Sequence, residues 1–529
     1  MKKMIKGMNT LTLNKKKALL CLTATILAAS SLAACGSSGN GASSESAAPG
    51  STAKVDTTPV EVSVMTILLN SNPPSSDNKI KEAIEKATNS KLNIQWVSSN
   101  SYPDKLNVTL ASGDIPDLVY IPDPFSSVFR GMVSQGAFWD VSNYIKDYPN
   151  LSGKISETAW NLTKMEDGKN YSIPRPRPTE GETFFIFRKD WLDNTGLKVP
   201  TTTDELYQVF KAFGDDPDGN GKKDTVGFAA FATTGEKASD PLSQLENIFH
   251  KSNSEWKLVD NQLVYKNLLP EEHQALEFIN KLYQEKLIPE DFASLKPTQV
   301  KDLVKAGKAG AFVDKTGTVV TDYLTELKKI DTKVKETDFV PAININGYNP
   351  KGPGFAGVLA IPKSVKEDKM KRILKMVDTW MNDEVFALQT YGFEGTHHTV
   401  KDGQKVVDSK KLAEDGGPDF NQIVYVADPY ASTVKNYFEP ATQELYKKAQ
   451  DERAKTSQAD VAVGLYSPTA LQYLPEIQKK VLDMKIKVIL GKETLAAWDD
   501  FVAKLKADQN LVKISKEMSD AYQKRQGAK

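Results

Sequence analysis

The motif in this sequence best suited to chemistry is an acidic, glycine-containing loop that would bind a hard cation. Side-chain oxygens stand at loop positions 1, 3, 5 and 9, and position 7 offers its backbone carbonyl; these positions are Asp216, Asp218, Asn220, Asp224 and, seventh, Lys222. Glycine stands at position 6, where the chain must turn sharply. Because calcium prefers about six to eight oxygen ligands, the spacing predicts an EF-hand-type calcium loop with a structural role.

The twelfth position of the same loop departs from the EF-hand pattern. Gly227 stands where an EF-hand carries a bidentate glutamate, so a ligand from elsewhere or a water would have to complete the calcium shell. The alternative is a solvated turn without metal, because Asp-Gly and Asn-Gly pairs favour turns in any case.

No other motif indicates catalysis. The four histidines include no His-Glu-x-x-His, and neither Gly-x-Ser-x-Gly nor a phosphate loop occurs. The adjacent pair His397 and His398 is expected at the surface. A glycosidase, the enzymatic alternative, needs two carboxylates roughly 5–10 Å apart, and no motif marks such a pair among 68 acids.

The N-terminal segment predicts the cellular compartment of the protein. A lysine-rich start precedes the apolar run 18–29, which is too short for a transmembrane helix and typical of a signal-peptide core. Leu32-Ala33-Ala34-Cys35 resembles a bacterial lipoprotein signal, and that resemblance implies a lipid on Cys35. We therefore expect a signal peptide over 1–34 and a lipidated, disordered tether over 35–58; an ordinary secretory leader is the alternative.

Composition excludes several classes of protein. The chain carries 68 basic and 68 acidic residues, and removal of a leader with six lysines and no acid leaves 62 basic residues. This acidic balance argues against nucleic acid as a partner. Cys21 lies in the leader and Cys35 is the lipid site, so the mature body has no thiol for a disulfide or a metal.

The body reads as alternating strands and helices, which predicts parallel α/β sheets. Strands are expected at 60–69, 92–97 and 118–121, with helices between them, and helices dominate from about residue 440. The proline-rich segment 173–178 and the glycine-rich segment 347–357 are interpreted as two crossings between lobes. The first lobe is expected to comprise 59–178 and 358–395, and the second 179–357 and 396–529.

Several segments occur in an order that resembles the extracellular solute-binding proteins of family 1, in particular the lipoproteins of Gram-positive sugar and oligosaccharide ABC importers. Besides the lipobox and the acidic loop, these are 111–117 (Ala-Ser-Gly-Asp-Ile-Pro-Asp), 171–174 (Tyr-Ser-Ile-Pro), 188–192 (Arg-Lys-Asp-Trp-Leu), 199–202 and 308–311. The resemblance implies a two-lobed, type II α/β fold, each lobe a mainly parallel sheet flanked by helices. It also implies closure on a ligand, delivery to a membrane permease, and calcium at 216–224, where Thr225 replaces an acid found in some members.

Ligand contacts are expected at strand ends, at the crossings and on aromatic platforms, since sugars present flat C–H faces. Arg175 and Arg177 can clamp a carboxylate or a diol; whether they indicate uronic acids stays open. The candidates are Asn70, Asp123, Trp139, Arg175, Arg177, Trp256, Tyr391 and Glu394. Trp191, Trp380 and Trp498 lie in helical patterns and are assigned to the core.

The sequence thus predicts a lipid-anchored binding protein on the outer face of the cell membrane, whose partners are a sugar ligand and an importer permease. A membrane-held glycoside hydrolase and a co-sensor using the same fold are the alternatives. Release of product from oligosaccharides would favour the hydrolase, and neighbouring permease or sensor-kinase genes would separate transport from sensing.

Overall fold

The computed structural model describes residues 58–68, 72–75, 77–181, 183–232, 240–401, 403–430, 433–434 and 438–527. The predicted signal peptide, Cys35, the tether up to residue 57 and Asn70 lie outside these residues. The chain from Thr57 onward forms one compact unit. Among the described residues, no helix is both long and apolar enough to cross a membrane.

The strands are β1 (Val60–Leu68), β2 (Ser90–Ser98), β3 (Leu118–Ile121), β4 (Ile173–Pro176), β5 (Phe184–Arg188), β6 (Trp256–Val259), β7 (Gln262–Tyr265), β8 (Ala311–Asp314), β9 (Phe339–Pro341), β10 (Asn349–Lys351), β11 (Phe355–Ala360), β12 (His398–Lys401), β13 (Gln404–Val407) and β14 (Ser457–Ala459).

The helices are α1 (Lys79–Thr88), α2 (Tyr102–Ser112), α3 (Ser127–Ser134), α4 (Pro149–Lys154), α5 (Glu157–Leu162), α6 (Lys189–Thr195), α7 (Thr203–Phe213), α8 (Pro241–His250), α9 (Pro270–Gln284), α10 (Pro297–Lys305), α11 (Thr316–Thr318), α12 (Thr325–Leu327), α13 (Glu367–Trp380), α14 (Asp383–Tyr391), α15 (Ser409–Glu414), α16 (Pro440–Ala454), α17 (Pro468–Ile489), α18 (Leu495–Lys506) and α19 (Gln509–Gly527).

The first lobe is built on a five-stranded sheet in the order β2-β1-β3-β11-β4. β1 pairs in parallel with β2 and β3, while β11 runs antiparallel to β3 and β4. The predicted alternation of strands and helices over the first sixty residues of the body is confirmed. The proline-rich crossing begins as edge strand β4, where a proline can lack its N–H without breaking a ladder on both sides.

The second lobe contains the three-stranded sheet β8-β5-β9, in which both pairs are antiparallel. The prediction of a mainly parallel sheet is wrong for this lobe. The chain between β5 and β8 is long, contains several helices and is not a simple βαβ crossover. β8 is therefore not required to run parallel to β5. Residues 225–231 run beside β8 as an irregular segment, with a parallel bridge between Val226 and Ala309.

The first lobe extends beyond residue 395, where the sequence analysis expected it to end. Leu412, Phe420, Ile423 and Val424 are all buried in the hydrophobic core of the first lobe. The turn at Gly395 leads into the hairpin of β12 and β13. We therefore assign the chain up to about residue 426 to the first lobe.

The C-terminal helices complete the second lobe, as the helical pattern predicts. Ile477 and Val481 of α17, Trp498 of α18 and Leu511 of α19 are buried in the same core as Leu276 of α9. Trp191, Trp380 and Trp498 are all at most 2% exposed, which confirms their assignment to the core. Helix α17 also carries polar side chains toward the cleft described next.

Candidate functional site

A cavity of about 1160 Å³ lies between the two lobes. Its first-lobe side includes Phe355, Asn421 and Tyr425, and its second-lobe side includes Lys266 and Gln478. Residues 177–179 and 350–353, which belong to the two predicted crossings, also line it. Ligand pockets commonly have volumes of roughly 300–1,000 Å³, so this cavity has room for an extended ligand.

Arg177 lines the cavity where strand β4 has just ended. Its backbone N–H donates to the carbonyl of Gly354 (2.9 Å), and Nη1 donates to the carbonyl of Pro176 (2.8 Å). The guanidinium carbon lies 4.1 Å from the centre of the Tyr425 ring. The pair therefore presents a cation and an aromatic face side by side on the first-lobe wall.

Arg175 is buried beneath this wall rather than exposed on it, with 4% of its surface accessible. Nε donates to the carbonyl of Ala356 (3.0 Å), Nη1 donates to the backbone and side-chain oxygens of Gln422, and Nη2 donates to the hydroxyl of Tyr120 (3.1 Å). Burial lowers the pKa of Arg175 to about 10. Since Ala356 and Gln422 line the cavity, Arg175 acts by holding its floor.

The second-lobe side of the cavity rests on a buried ionic network. Lys485 of α17 lies 2.9 Å from a carboxylate oxygen of Glu246 and 2.6 Å from one of Glu272, and His250 Nε2 lies 2.7 Å from the other oxygen of Glu272. Burial raises the pKa of Glu272, but Lys485 and His250 outweigh it and lower the pKa to about 2. The network ties α8, α9 and α17 together behind the cavity.

Lys266 stands on the same side and is 8% exposed. Its ammonium donates to Asn247 Oδ1 (2.9 Å), and no carboxylate of the described residues lies within ion-pair distance. Burial lowers the pKa of Lys266, although nearby Glu246, Glu272 and Glu255 act in the opposite direction. The side-chain oxygens of Asn253 and Asn267, which also line the cavity, have no hydrogen-bond partner among the described residues.

The two tryptophans predicted as sugar platforms are used elsewhere. Trp256 is 3% exposed and packs against Tyr265, with the ring centres 5.5 Å apart. Trp139 is partly buried, donates from Nε1 to the carbonyl of Val365 (2.8 Å), and carries the ammonium of Lys363 over its ring. Neither lines the cavity.

The remaining predicted contacts also lie away from the cavity lining. Asp123 is exposed at the end of β3, where it accepts a hydrogen bond from the N–H of Phe125 (2.8 Å). Tyr391 packs beside His398 and lies under the ammonium of Lys405, and Glu394 is exposed in the following turn. Of the predicted ligand contacts that the structure describes, Arg177 is the one that reaches the cavity.

The expectation of a surface histidine pair is wrong. His397 is 2% exposed, and its Nε2 lies 2.7 Å from a carboxylate oxygen of Asp415. His398 is 6% exposed, and its Nδ1 bonds to the carbonyl of Tyr391 (2.8 Å). The segment around them folds back onto the first lobe, which covers both rings.

In the acidic loop, carboxylate and amide oxygens accept hydrogen bonds from backbone N–H groups of the turn. The Asp216 carboxylate accepts from the N–H groups of Asn220 and Gly221, each at 3.0 Å, and Asn220 Oδ1 accepts from the N–H of Lys222 (2.8 Å). The Asp224 carboxylate instead pairs with the ammonium of Lys308, which lowers the pKa of Asp224.

The donors of this loop fit calcium in kind, since they are carboxylate, amide and carbonyl oxygens. Across the described part of the chain, however, no three His, Cys, Asp or Glu side chains converge as a metal-binding group would require. Gly227 cannot give way to a larger ligand residue, because a Cβ there would lie 2.2 Å from the carbonyl oxygen of Phe210. Calcium binding would thus require Asp224 to leave Lys308.

Most cavity residues carry no signal in the sequence. Asn421 lies in a 3-10 helix after α15 (Gly417–Gln422), and Tyr425 lies in the irregular segment that follows it. Lys266 begins a short 3-10 helix after β7, and Gln478 lies in the middle of α17. These residues line one cavity because the chain crosses repeatedly between the lobes. The one local signal was the run of prolines around Arg177.

The family model described as bacterial extracellular solute-binding protein matches residues 70–385. The chain is 32% identical over 461 residues to the polygalacturonan/rhamnogalacturonan-binding protein YtcQ of Bacillus subtilis, covering 84% of this chain and 88% of that protein. It is also 32% identical over 457 residues to the lipoprotein LipO of Bacillus subtilis, covering 83% and 88% of the two chains.

Solved structures share the fold at low sequence identity. An HMO-binding, ABC-transporter-associated solute-binding protein from Bifidobacterium longum infantis superposes with a TM-score of 0.68 at 19% identity, over 88% of this chain and 99% of that one. An EF-hand mutant of the substrate-binding protein FusA of Streptococcus pneumoniae, in complex with fructo-nystose, gives 0.62 at 16% identity, over 89% and 100%. The two-lobed, type II α/β fold is therefore confirmed.

Proposed function

The chain belongs to the bacterial extracellular solute-binding protein family, and from this premise we propose that it is the substrate-binding component of an ABC importer. It captures a sugar or oligosaccharide in the cleft between its lobes and delivers it to the membrane permease. The observation that carries this proposal is the cavity of about 1160 Å³, which both lobes and both crossings line.

The chemistry of the cavity suits a saccharide. Tyr425 and Phe355 supply aromatic surface for the C–H faces of a sugar ring, and Arg177, Asn421 and Gln478 supply polar groups around it. The names of relatives agree with this class of ligand, since one is a polygalacturonan/rhamnogalacturonan-binding protein and another was solved with fructo-nystose. Among the predicted contacts, Arg177 is the one retained in this proposal.

The same proposal places the protein outside the cell, held to the membrane by a lipid on Cys35. Membership of an extracellular family and similarity to a lipoprotein support it. Mass spectrometry of membrane-extracted protein would detect a lipid-bearing N-terminal cysteine, and an unmodified chain beginning elsewhere would contradict the anchor.

We also propose a structural calcium ion in the loop 216–224, held by Asp216, Asp218, Asn220, the carbonyl of Lys222 and Asp224. The oxygen donors and the turn geometry support it, and an EF-hand is named in a structural relative. A bound ion would stiffen the connection between helix α7 and the segment beside β8. The ion lies outside the saccharide cavity and takes no part in ligand contact.

Isothermal titration of the purified body with an oligosaccharide panel tests the function. The panel includes kestose, galacto-oligosaccharides, tetragalacturonate and carboxyl-reduced tetragalacturonate. We expect one-to-one binding of at least one member and recovery of that saccharide intact, because the family consists of binding proteins. Absence of binding by every member would contradict the binding function, and release of shorter saccharides would favour a hydrolase.

A further inference from the structure

The second-lobe wall is formed by Asn253, Glu255, Lys266, Asn267 and Asp460. Three of these residues, Asn253, Lys266 and Asn267, have side-chain hydrogen-bonding capacity that is not used within the described residues. Lys266 carries three N–H donors and gives one to Asn247. Asn267 is 4% exposed, and its Oδ1 has no hydrogen-bond partner among the described residues. The Oδ1 of Asn253 also has no hydrogen-bond partner among them. A buried acceptor or donor without a partner keeps its full desolvation cost, so a ligand that pairs these groups gains affinity.

This combination of groups selects a hydroxyl rather than a carboxylate. A sugar hydroxyl accepts a hydrogen bond from Lys266 and at the same time donates one to an asparagine oxygen. An ionised carboxylate only accepts, so it would leave the oxygens of Asn253 and Asn267 without a donor. Neighbouring hydroxyls on one sugar ring therefore match the wall better than a uronate does.

The charges around the wall also favour a hydroxyl over a carboxylate. On the wall, the carboxylates of Glu255 and Asp460 outnumber the ammonium of Lys266, and behind it those of Glu246 and Glu272 outnumber the ammonium of Lys485. The other cations that line the cavity, Arg177, Lys315, Lys351 and Lys479, lie outside this wall. Glu246, Glu272, Lys266 and Lys485 are buried, so their interactions are less screened than at an exposed surface. A ligand carboxylate placed here would meet net negative charge.

We propose that the second-lobe wall is a subsite for an uncharged, hydroxyl-bearing sugar unit and that it discriminates against a uronate. The proposal rests on the saccharide-binding function and specifies which class of sugar this side of the cleft receives. It assigns Lys266 and the two asparagines as specificity-determining residues.

The experiment titrates the wild-type protein and four variants with the tightest-binding member of the saccharide panel. Asn253→Leu and Lys266→Met remove an acceptor and a donor, and we expect each to weaken binding tenfold or more. Asn253→Asp keeps an acceptor oxygen, so it should lose less affinity for a hydroxyl-bearing saccharide than Asn253→Leu does. Lys257→Met is the matched control, because Lys257 pairs with Glu271 (2.7 Å) away from the cavity; it should stay within twofold.

A second arm uses only wild-type protein and so does not depend on the folding of variants. Carboxyl-reduced tetragalacturonate should bind at least tenfold more tightly than tetragalacturonate. Tighter binding of the acidic form would overturn the proposal, as would a larger loss for Asn253→Asp than for Asn253→Leu. If Asn253→Leu and Lys266→Met bind like wild type, the subsite is wrong while the saccharide function stands; if no saccharide binds, both fail.

Discussion

The guanidinium of Arg177 lies over the ring of Tyr425 at 4.1 Å, at the boundary between the first lobe and the cavity. Two residues earlier, Arg175 makes a similar contact with Tyr120 at 4.3 Å, but inside the lobe. Arg175 lies within β4, and Arg177 directly follows its last residue, Pro176. The difference in burial gives them different roles, which mutation should separate.

Replacement of Arg177 by alanine should weaken saccharide binding about tenfold, because the variant loses a cation and exposes one face of Tyr425. The melting temperature should change little, since Arg177 is partly exposed. Isothermal titration and thermal unfolding measure the two effects. Arg177→Lys is the control and should recover part of the affinity; unchanged binding by both variants would remove Arg177 from the site.

Replacement of Arg175 by methionine should instead destabilise the protein, by roughly 2–4 kcal/mol, because several buried acceptors lose charge-assisted donors. Chemical unfolding with urea gives the free energy of unfolding directly. Arg175 holds Ala356 and Gln422 in the cavity floor, so saccharide affinity should fall only if the substitution displaces these two residues. A variant as stable as wild type would contradict the supporting role.

Glu272→Gln should lower the free energy of unfolding by roughly 3–5 kcal/mol, because the buried ammonium of Lys485 loses one of its two carboxylates. The neighbouring variant Glu271→Gln is the matched control. Its pair with Lys257 is partly exposed, so the expected change is at most about 1 kcal/mol. Equal effects of the two substitutions would show that the buried network does not support the second lobe.

The stability of the wild-type protein should fall as the pH drops from about 4.5 to about 2. The pKa of Glu272 is lowered from 4.5 to about 2, so its ionised form stabilises the fold above the ordinary value and this contribution is lost through that window. In Glu272→Gln this part of the curve should be flatter. Urea unfolding at several pH values measures both, and parallel curves for the two proteins would exclude Glu272 as the cause.

Removal of calcium with a chelator should lower the melting temperature of the wild-type protein. Lys308→Met should bind calcium more tightly than wild type, because it frees the Asp224 carboxylate from its ion pair. Titration of calcium into chelator-treated protein measures the affinity. Lys305→Met is the control, since Lys305 pairs with Asp302 on the surface. Chelation without effect, together with no calcium in the purified protein, would contradict the metal site.

Local patterns were sufficient for much of the fold. The strands expected at 60–69, 92–97 and 118–121, with helices between them, predicted the start of the first lobe. The three helical tryptophans were assigned correctly for the same reason, because a period of 3.6 residues marks a buried helix face.

The site was harder to predict because it is built from distant segments. The cavity is lined by Tyr425 from the first lobe and by Lys266 and Gln478 from the second. These residues come together only because the fold brings the two lobes together, which no local sequence pattern predicts. Trp256 was expected at the ligand but packs in the second core, since a large apolar ring gains more from full burial than from a cleft. The direction of β8 likewise depends on tertiary packing.

A crystal structure of the protein with the saccharide that binds most tightly in the panel would show the binding site itself. We expect an intact saccharide between the Arg177–Tyr425 pair and the second-lobe wall, with hydroxyl groups on Lys266 and Asn253. A saccharide bound outside this cleft would rule out the proposed site, and one cleaved within it would rule out a binding protein.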